Sequence, residues 1–282
     1  MKSILIATDL SARSDRALER AIQLAEFHDA SLTIVHVVDE GLPASIADAQ
    51  EKTARQAILR HAQSLKSVGE PSMSVEVVFG RPHVDILETA DQISADLIVL
   101  GLHREHLLKD MFRGTTAERV IRAGNTPVLL VKDRVNSPYQ RVMVGVDFSV
   151  YSRRAVEFAT SFAPAGYLHL VHAYDVPFED IVRATKPQSE VSKQLQLETQ
   201  QMIEEEMRIF LSTIRMKPSS LERIMEQGMP REVIHQQVEK LQPNLLVVGT
   251  HGRTGVSHAF LGSIAEDLLR DPPCDVLAVN AW

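Results

Sequence analysis

The residues that could do chemistry in this chain of 282 residues are a glycine-punctuated stretch and a pair of aspartates. In GTHGRTGVSHAFLGS, two residues separate Gly249 from Gly252, nine separate Gly252 from Gly262, and Ser263 follows. Such a loop brings bare backbone N–H groups close to phosphate oxygens, and a helix starting at its end adds partial positive charge. Ser263 adds a hydroxyl donor. A connector whose glycines only make turns is the competing reading, but the stretch follows a strand, precedes a helix and is spaced against a second Gly-Ser, which favours an anion site. Asp9 and Asp147 each close a short apolar run two residues before Ser11 or Ser149. Each is either a ligand-binding carboxylate or part of a helix-capping turn. GxxxxGK[ST] and GxGxxG are both absent, so P-loop hydrolysis and hydride transfer lose their usual support.

The elements that must position these residues occur twice. SILIATDLS (3–11) returns as RVMVGVDFS (141–149), LTIVHVVD (32–39) as LHLVHAYD (168–175), VVFGRPHVDIL (77–87) as IMEQGMPREVI (224–234), and ADLIVLGLH (95–103) as PNLLVVGTH (243–251). The order is conserved between halves, so the chain is a duplication. The spacing is 138 at Asp9 and Asp147 but 148 at Gly101 and Gly249, and the gain lies mostly between Asp175 and Gly228. In the first half, residues 4–8, 32–37, 74–79, 97–101 and 128–132 read as strands, and 12–26, 44–67, 82–93 and 115–123 as helices. Alternation of the two predicts parallel pairing with both sheet faces covered, hence a five-stranded α/β sandwich per half. Residues 133–140 have linker composition, which places the domains at 1–137 and 138–282. Residues 191–215, with Glu204, Glu205 and Glu206, read as a long helix with a solvated acidic face.

Composition excludes other classes. With 44% hydrophobic and 24% charged residues the chain is neither disordered nor fibrous. A formal net charge of -7 and the lack of any long Lys/Arg run argue against nucleic acid as a partner. The single cysteine, Cys274, rules out an internal disulfide framework and a Cys-built zinc site. The apolar run 4–7 is too short for a signal-peptide core or a membrane span and no later apolar run is long enough either, so no membrane association is expected, and the lone cysteine fits a cytoplasmic location. His103 and His106, and His251 and His258 in the other copy, lack a nearby carboxylate pattern, so no metal site is expected. A phosphorylated receiver would want two acids at the first strand, and Thr8/Asp9 and Val146/Asp147 offer one each.

The glycine pattern, following a hydrophobic fourth strand and combined with an Asp that ends the first, resembles the ATP-binding branch of the universal stress protein family. The resemblance runs through nearly the whole chain twice, as in a tandem member. It implies the family's adenine nucleotide alpha hydrolase-like fold with sheet order 3-2-1-4-5 in each half, adenine near the second strand, and ribose and phosphates on the glycine loop. In the second half it points to Asp147, to Ala173 beside adenine, to Gly249, Gly252, Gly262 and Ser263 as the phosphate loop, and to Thr250, His251 and Ile264 as intervening backbone contacts. In the first half Thr8, Asp9, Val37, Gly101, Gly114 and Thr115 match, but Arg104 stands where the second glycine belongs. That side chain either blocks close approach or pairs with phosphate, and the second half ranks as the better site. The resemblance implies a stress-response protein in which ATP or another adenine nucleotide, with magnesium as an optional companion, sets conformation or the choice of an unidentified protein partner. The alternative is a slow ATP hydrolase or nucleotidyl-transfer enzyme, with Asp147 and His251 the only candidate groups. The fifth strands, apolar and left at an edge, are expected to pair with each other in an intramolecular pseudo-dimer, with a further homodimer allowed but not required.

Overall fold

Strands buried on both faces have no polar side to show, so they read as near-continuous apolar runs. A computed structural model describes residues 1–39, 44–65, 71–102, 115–176, 190–216, 218–252 and 261–280. In β1 (Ser3–Ala7), Ile4 and Ile6 enter one core layer and Leu5 the other. The first half continues with β2 (Ser31–Asp39), β3 (Met73–Gly80), β4 (Leu97–Gly101) and β5 (Val128–Val131). The second contains β6 (Arg141–Gly145), β7 (Tyr167–Tyr174), β8 (Leu221–Gln227), β9 (Leu245–Gly249) and β10 (Asp275–Val279). One face is covered by α1 (Ala12–His28), α2 (Ala44–Leu65), α5 (Val150–Phe162) and α6 (Glu190–Thr213). The other is covered by α3 (Pro82–Gln92), α4 (Thr116–Ala123), α7 (Pro230–Leu241) and α8 (Ser263–Arg270). No helix among the described residues is long and apolar enough to cross a membrane.

The order expected for two separate five-stranded sheets needs one correction. All ten strands form a single sheet, β3-β2-β1-β4-β5-β10-β9-β6-β7-β8, parallel within each half and antiparallel only where β5 meets β10. The physical reason is the unpaired backbone of each apolar fifth strand, which the other half satisfies. Leu129 pairs with Leu277, its own counterpart at the 148-residue spacing, with Leu130–Val276 and Val128–Ala278 to either side. A two-fold relation therefore passes through the leucine pair, and both core layers contain residues of both halves.

Polar contacts at the two ends of this seam follow the same two-fold relation. Lys132, just past β5, donates from Nζ to the carbonyls of Pro272 (2.8 Å) and Pro273 (3.0 Å) before β10. Asn280, just past β10, donates from Nδ2 to the carbonyl of Gly124 (2.6 Å) before β5. At one end, however, a buried carboxylate has been added. Asp275, 1% exposed, accepts from the Lys132 and Asp133 N–H groups (2.9 and 3.0 Å) and from the Tyr139 hydroxyl (2.6 Å). Arg20 of α1, equally buried, brings Nε to 3.6 Å from Asp275 Oδ2, lies over the Tyr139 ring at 4.2 Å and donates to the Ser137 carbonyl (3.0 Å). Burial pushes the Asp275 carboxyl above its ordinary range against the opposing pull of Tyr139, the two N–H groups and Arg20.

Two outcomes follow from this burial. Asp275→Leu, which leaves the Arg20 guanidinium in the interior without its carboxylate, is expected to cost about 3–5 kcal/mol in urea denaturation; a loss of about 1 kcal/mol or less, as for an exposed pair, would contradict the arrangement. Burial first, then the Asp275 and Asp133 charges, pushes the neighbouring Cys274 thiol up to about 12. In the native protein at mildly alkaline pH, where so little thiolate forms, its alkylation by iodoacetamide should wait on unfolding. A native rate close to that of a denatured control would refute this.

Candidate functional site

Both first strands end in the same turn. Asp9 Oδ1 accepts from the Ser11 N–H at 3.0 Å, and Asp147 Oδ1 from the Ser149 N–H at 3.0 Å. The serines then cap the helices, Ser11 Oγ accepting from Ser14 N–H (3.4 Å) and Ser149 Oγ from Ser152 N–H (3.2 Å). The capping reading of the aspartates is thus realised for one oxygen of each. Between aspartate and serine stand Leu10 (φ 62) and Phe148 (φ 64), both in the left-handed region that a bulky side chain disfavours. The same outlier stands at equivalent positions of both copies, so the left-handed residue belongs to the turn that the two halves share. Asp9 feels partial burial, which raises its pKa, but hydrogen bonds from Ser11 and Ser14 outweigh that and hold its carboxyl below the usual range.

A histidine supports each turn from the second strand. His36 Nδ1 donates to the Thr8 carbonyl (2.8 Å) and His172 Nδ1 to the Val146 carbonyl (2.7 Å). Phe148 stacks on His172 with centroids 4.1 Å apart. Sequence reasoning gave these histidines no role, although the repeated Val-His pair in the two second strands was the available signal. Thr8 is buried and committed within its turn: its hydroxyl donates to Ser14 Oγ (2.9 Å) and accepts from the Leu10 N–H (3.1 Å). Val37 and Ala173 are half-buried at matching places on β2 and β7, in register with Val78 and Glu226.

The glycines divide into two kinds. A Cβ on Gly249 would come within 2.9 Å of Tyr151 Cβ and 3.0 Å of its backbone, and one on Gly101 within 2.9 Å of the Arg13 carbonyl oxygen. These two are needed so that the first turns of α5 and α1 can pack on the strand ends. Gly252 and Gly262 are different. Gly252 does not use a positive φ; what sets it apart is proximity, since a Cβ there would stand 3.1 Å from Asp147 Oδ2. Gly262 returns beside it, donating its N–H to the Thr250 carbonyl at 2.8 Å, and a Cβ on Gly262 would lie 3.8 Å from Gly252 N. Asp147, Gly252 and Gly262 are therefore contiguous at the carboxyl ends of β6 and β9. This is the crevice position at which open parallel sheets collect ligands.

Behind the loop Thr250 is fully buried, donating its hydroxyl to Asn280 Oδ1 and contacting His251 Nδ1 at 2.9 Å. Asn280 is the residue that reaches Gly124, so the loop is tied to the first half through two side chains. The His251 ring lies 4.9 Å from that of Tyr151. Ser263 is the first residue of α8, Gly262 its N-cap without a side-chain cap, and Ile264 is half-buried against the core layer that contains Leu5.

The first half departs from this at its helix. Thr115 caps α4, its Oγ1 accepting from the Glu118 N–H (3.2 Å), while Glu118 Oε2 accepts from the Thr115 N–H (3.2 Å). The equivalent Glu266 turns elsewhere, to Arg122 (3.6 Å) across the seam and Arg270 (3.4 Å). A carboxylate thus sits on the helix N-terminus in the first half and is drawn off it in the second. Arg104, Gly114, His103, His106 and His258 lie outside the described residues. No group of His, Cys, Asp and Glu suited to a metal occurs among the described residues. The Asp147 carboxylate thus stands beside the Gly252 backbone and the N-terminus of α8, an arrangement suited to a hydroxyl-bearing ligand that also carries an anion.

The profile of the Universal stress protein family matches residues 1–132 and again 138–280. Universal stress protein E of Escherichia coli strain K12 is 25% identical over 305 aligned residues, covering 99% of this chain and 94% of that protein. The crystal structure of a universal stress protein from Archaeoglobus fulgidus superposes with a TM-score of 0.71 at 22% identity, over 99% of this chain and 98% of the other. A universal stress protein solved in complex with cAMP is 29% identical over 46% of this chain and 97% of its own, with a TM-score of 0.41.

Gly249→Ala is expected to destabilise the fold by about 1–3 kcal/mol through overpacking against α5, whereas Gly262→Ala, with its nearest neighbour at 3.5 Å, should unfold at a urea concentration close to wild type. Equal losses for the two would show that the distinction between packing and loop glycines is wrong.

Proposed function

Because this chain belongs to the universal stress protein family, we propose that its second half binds ATP or a related adenine nucleotide at the crevice formed by Asp147, Gly252 and Gly262. The contiguity of these three residues is the observation that carries the reading. Asp147 would accept from ribose hydroxyls, the N–H groups of Gly252 and of the first turn of α8 would receive phosphate together with the Ser263 hydroxyl, and Ala173 would leave room for adenine. Magnesium, where present, would neutralise phosphate charge without needing a protein ligand set.

The two halves, 1–137 and 138–282, act in this reading as unequal domains of an intramolecular pseudo-dimer. Glu118 competes for the α4 N-terminus as a built-in anion, which disfavours phosphate there, while the pull of Arg122 and Arg270 on Glu266 leaves the α8 N-terminus to a ligand. One nucleotide per chain is the consequence. Its role is that of a conformational or partner-selecting signal in a stress response, in a protein that acts in the cytoplasm. Hydrolysis is the second reading, resting on Asp147 and His251; Asp147 already spends one oxygen on the turn, and the His251 Nδ1 contact is with Thr250, which leaves neither as an evident base. Steady-state phosphate release with and without magnesium separates the two readings.

Calorimetric titration with ATP, ADP and cAMP is expected to give one site per chain. Gly252→Val should weaken it at least roughly tenfold, about 1.4 kcal/mol, while thermal unfolding stays near wild type, because the added side chain occupies the space beside Asp147 Oδ2 rather than a packed core. Unchanged affinity in that variant, or two equal sites in the wild type, would overturn the assignment.

A further inference from the structure

The two ends of the seam between β5 and β10 are related by the internal two-fold but are built differently. At one end lie Arg20, Asp275 and Tyr139, buried and mutually bonded. At the residue spacing of the duplication, their counterparts are Phe158, Pro127 and Met1. These three line an open cleft of about 480 Å3 together with Asn280 and Arg154. The cation of the ion pair belongs to the first half and the anion to the second. Neither half contains both.

We propose that the Arg20–Asp275 pair is a recognition code that makes a first-half face accept only a second-half face, excluding pairing of like halves between chains. The argument is one of unpaired charge. Joining two first halves through their fifth strands would place Arg20 opposite Pro127 at both ends, leaving two guanidiniums without a carboxylate and without the Tyr139 ring that covers Arg20 in the native seam. Joining two second halves would place Asp275 opposite Phe158 twice, leaving two carboxylates with no cation. Burying an unpartnered charge is far more costly than any gain from the strand pairing around it. The apolar register itself does not discriminate, because Leu129 and Leu277 are equivalent and β5 and β10 present similar side chains. A buried ion pair adds little net stability over well-packed apolar residues of similar size; the code therefore acts by penalising wrong partners, which is how specificity arises when the right and wrong interfaces are otherwise alike. Duplicated genes face this problem in a direct form, since each half retains an edge strand able to pair with itself.

The test uses the folded full-length chain with a protease site introduced at residues 134–136 and cut after folding, so that the two pieces remain associated. Light and isotopically heavy preparations are mixed, warmed to allow exchange and read by native mass spectrometry. Wild-type pieces are expected to re-form mixed pairs, with like pairs scarce. In Arg20→Met with Asp275→Leu, like pairs should rise at least roughly tenfold, towards the random proportion of one like pair of each kind to two mixed. Slow alkylation of Cys274 before cutting verifies that the variant seam is closed. Should that variant not fold, Arg20→Asp with Asp275→Arg carries the same test: mixed with cut wild type, its pieces should re-pair with one another and not with wild-type pieces. Abundant like pairs in the wild type, an apolar variant that still forms mixed pairs alone, or a folded reversed-charge variant that exchanges freely with wild type would each overturn the proposal. Failure of both variants to fold would overturn it too, by showing the pair to be required for folding rather than for choice.

Discussion

An exposed, apolar edge strand cannot be left unpaired in water, and the architecture follows from how this chain meets that demand. Each half ends its sheet on a strand with four apolar residues, preceded in β10 by Asp275, whose N–H and C=O groups face outward along one side. Antiparallel pairing of β5 with β10 satisfies both at once and merges two small sheets into one. Once merged, the two faces no longer have separate cores: α1, α2, α5 and α6 pack over one continuous layer, and the other four helices over the second. The carboxyl-end turns sit on this base. Asn280, at the exit of β10, holds Thr250 on one side and Gly124 on the other, so the seam and the glycine loop share a residue.

Much of this was legible in the residues because the signals were local. Short, near-continuous apolar runs marked the strands, Ser11 and Ser149 marked the helix starts, and the repeated Asp-x-Ser tripeptide marked equivalent turns. The fusion of the sheets was half legible: two apolar edges called for partners, but their number per sheet followed only from seeing them meet. Asp275 was invisible as anything but a polar residue before an apolar run, because its partners come from two distant places in the chain, Arg20 from α1 and Lys132 and Tyr139 from the connection between the halves.

The same limit explains the site. Spacing identified the glycines, yet could not separate those that admit a helix from those that face a ligand, since only the approach of Tyr151 or of Asp147 tells them apart. Thr115 and Ser263 look interchangeable as residue types, with a glutamate three positions on in each case. Their different fates depend on Arg122, which belongs to the other half's neighbourhood. His36 and His172 were overlooked because a histidine inside an apolar strand reads as a core residue, and its value lies in which carbonyl it holds.

The antiparallel seam has a directional consequence. Strands β1 and β4 point their carboxyl ends one way and β6 and β9 the other, so the Asp9 turn and the Asp147 turn open on opposite rims of the sheet. Anything bound at one rim leaves the other unobstructed, and the rigid sheet between them fixes their separation. The molecule therefore has two unlike ends that face away from each other.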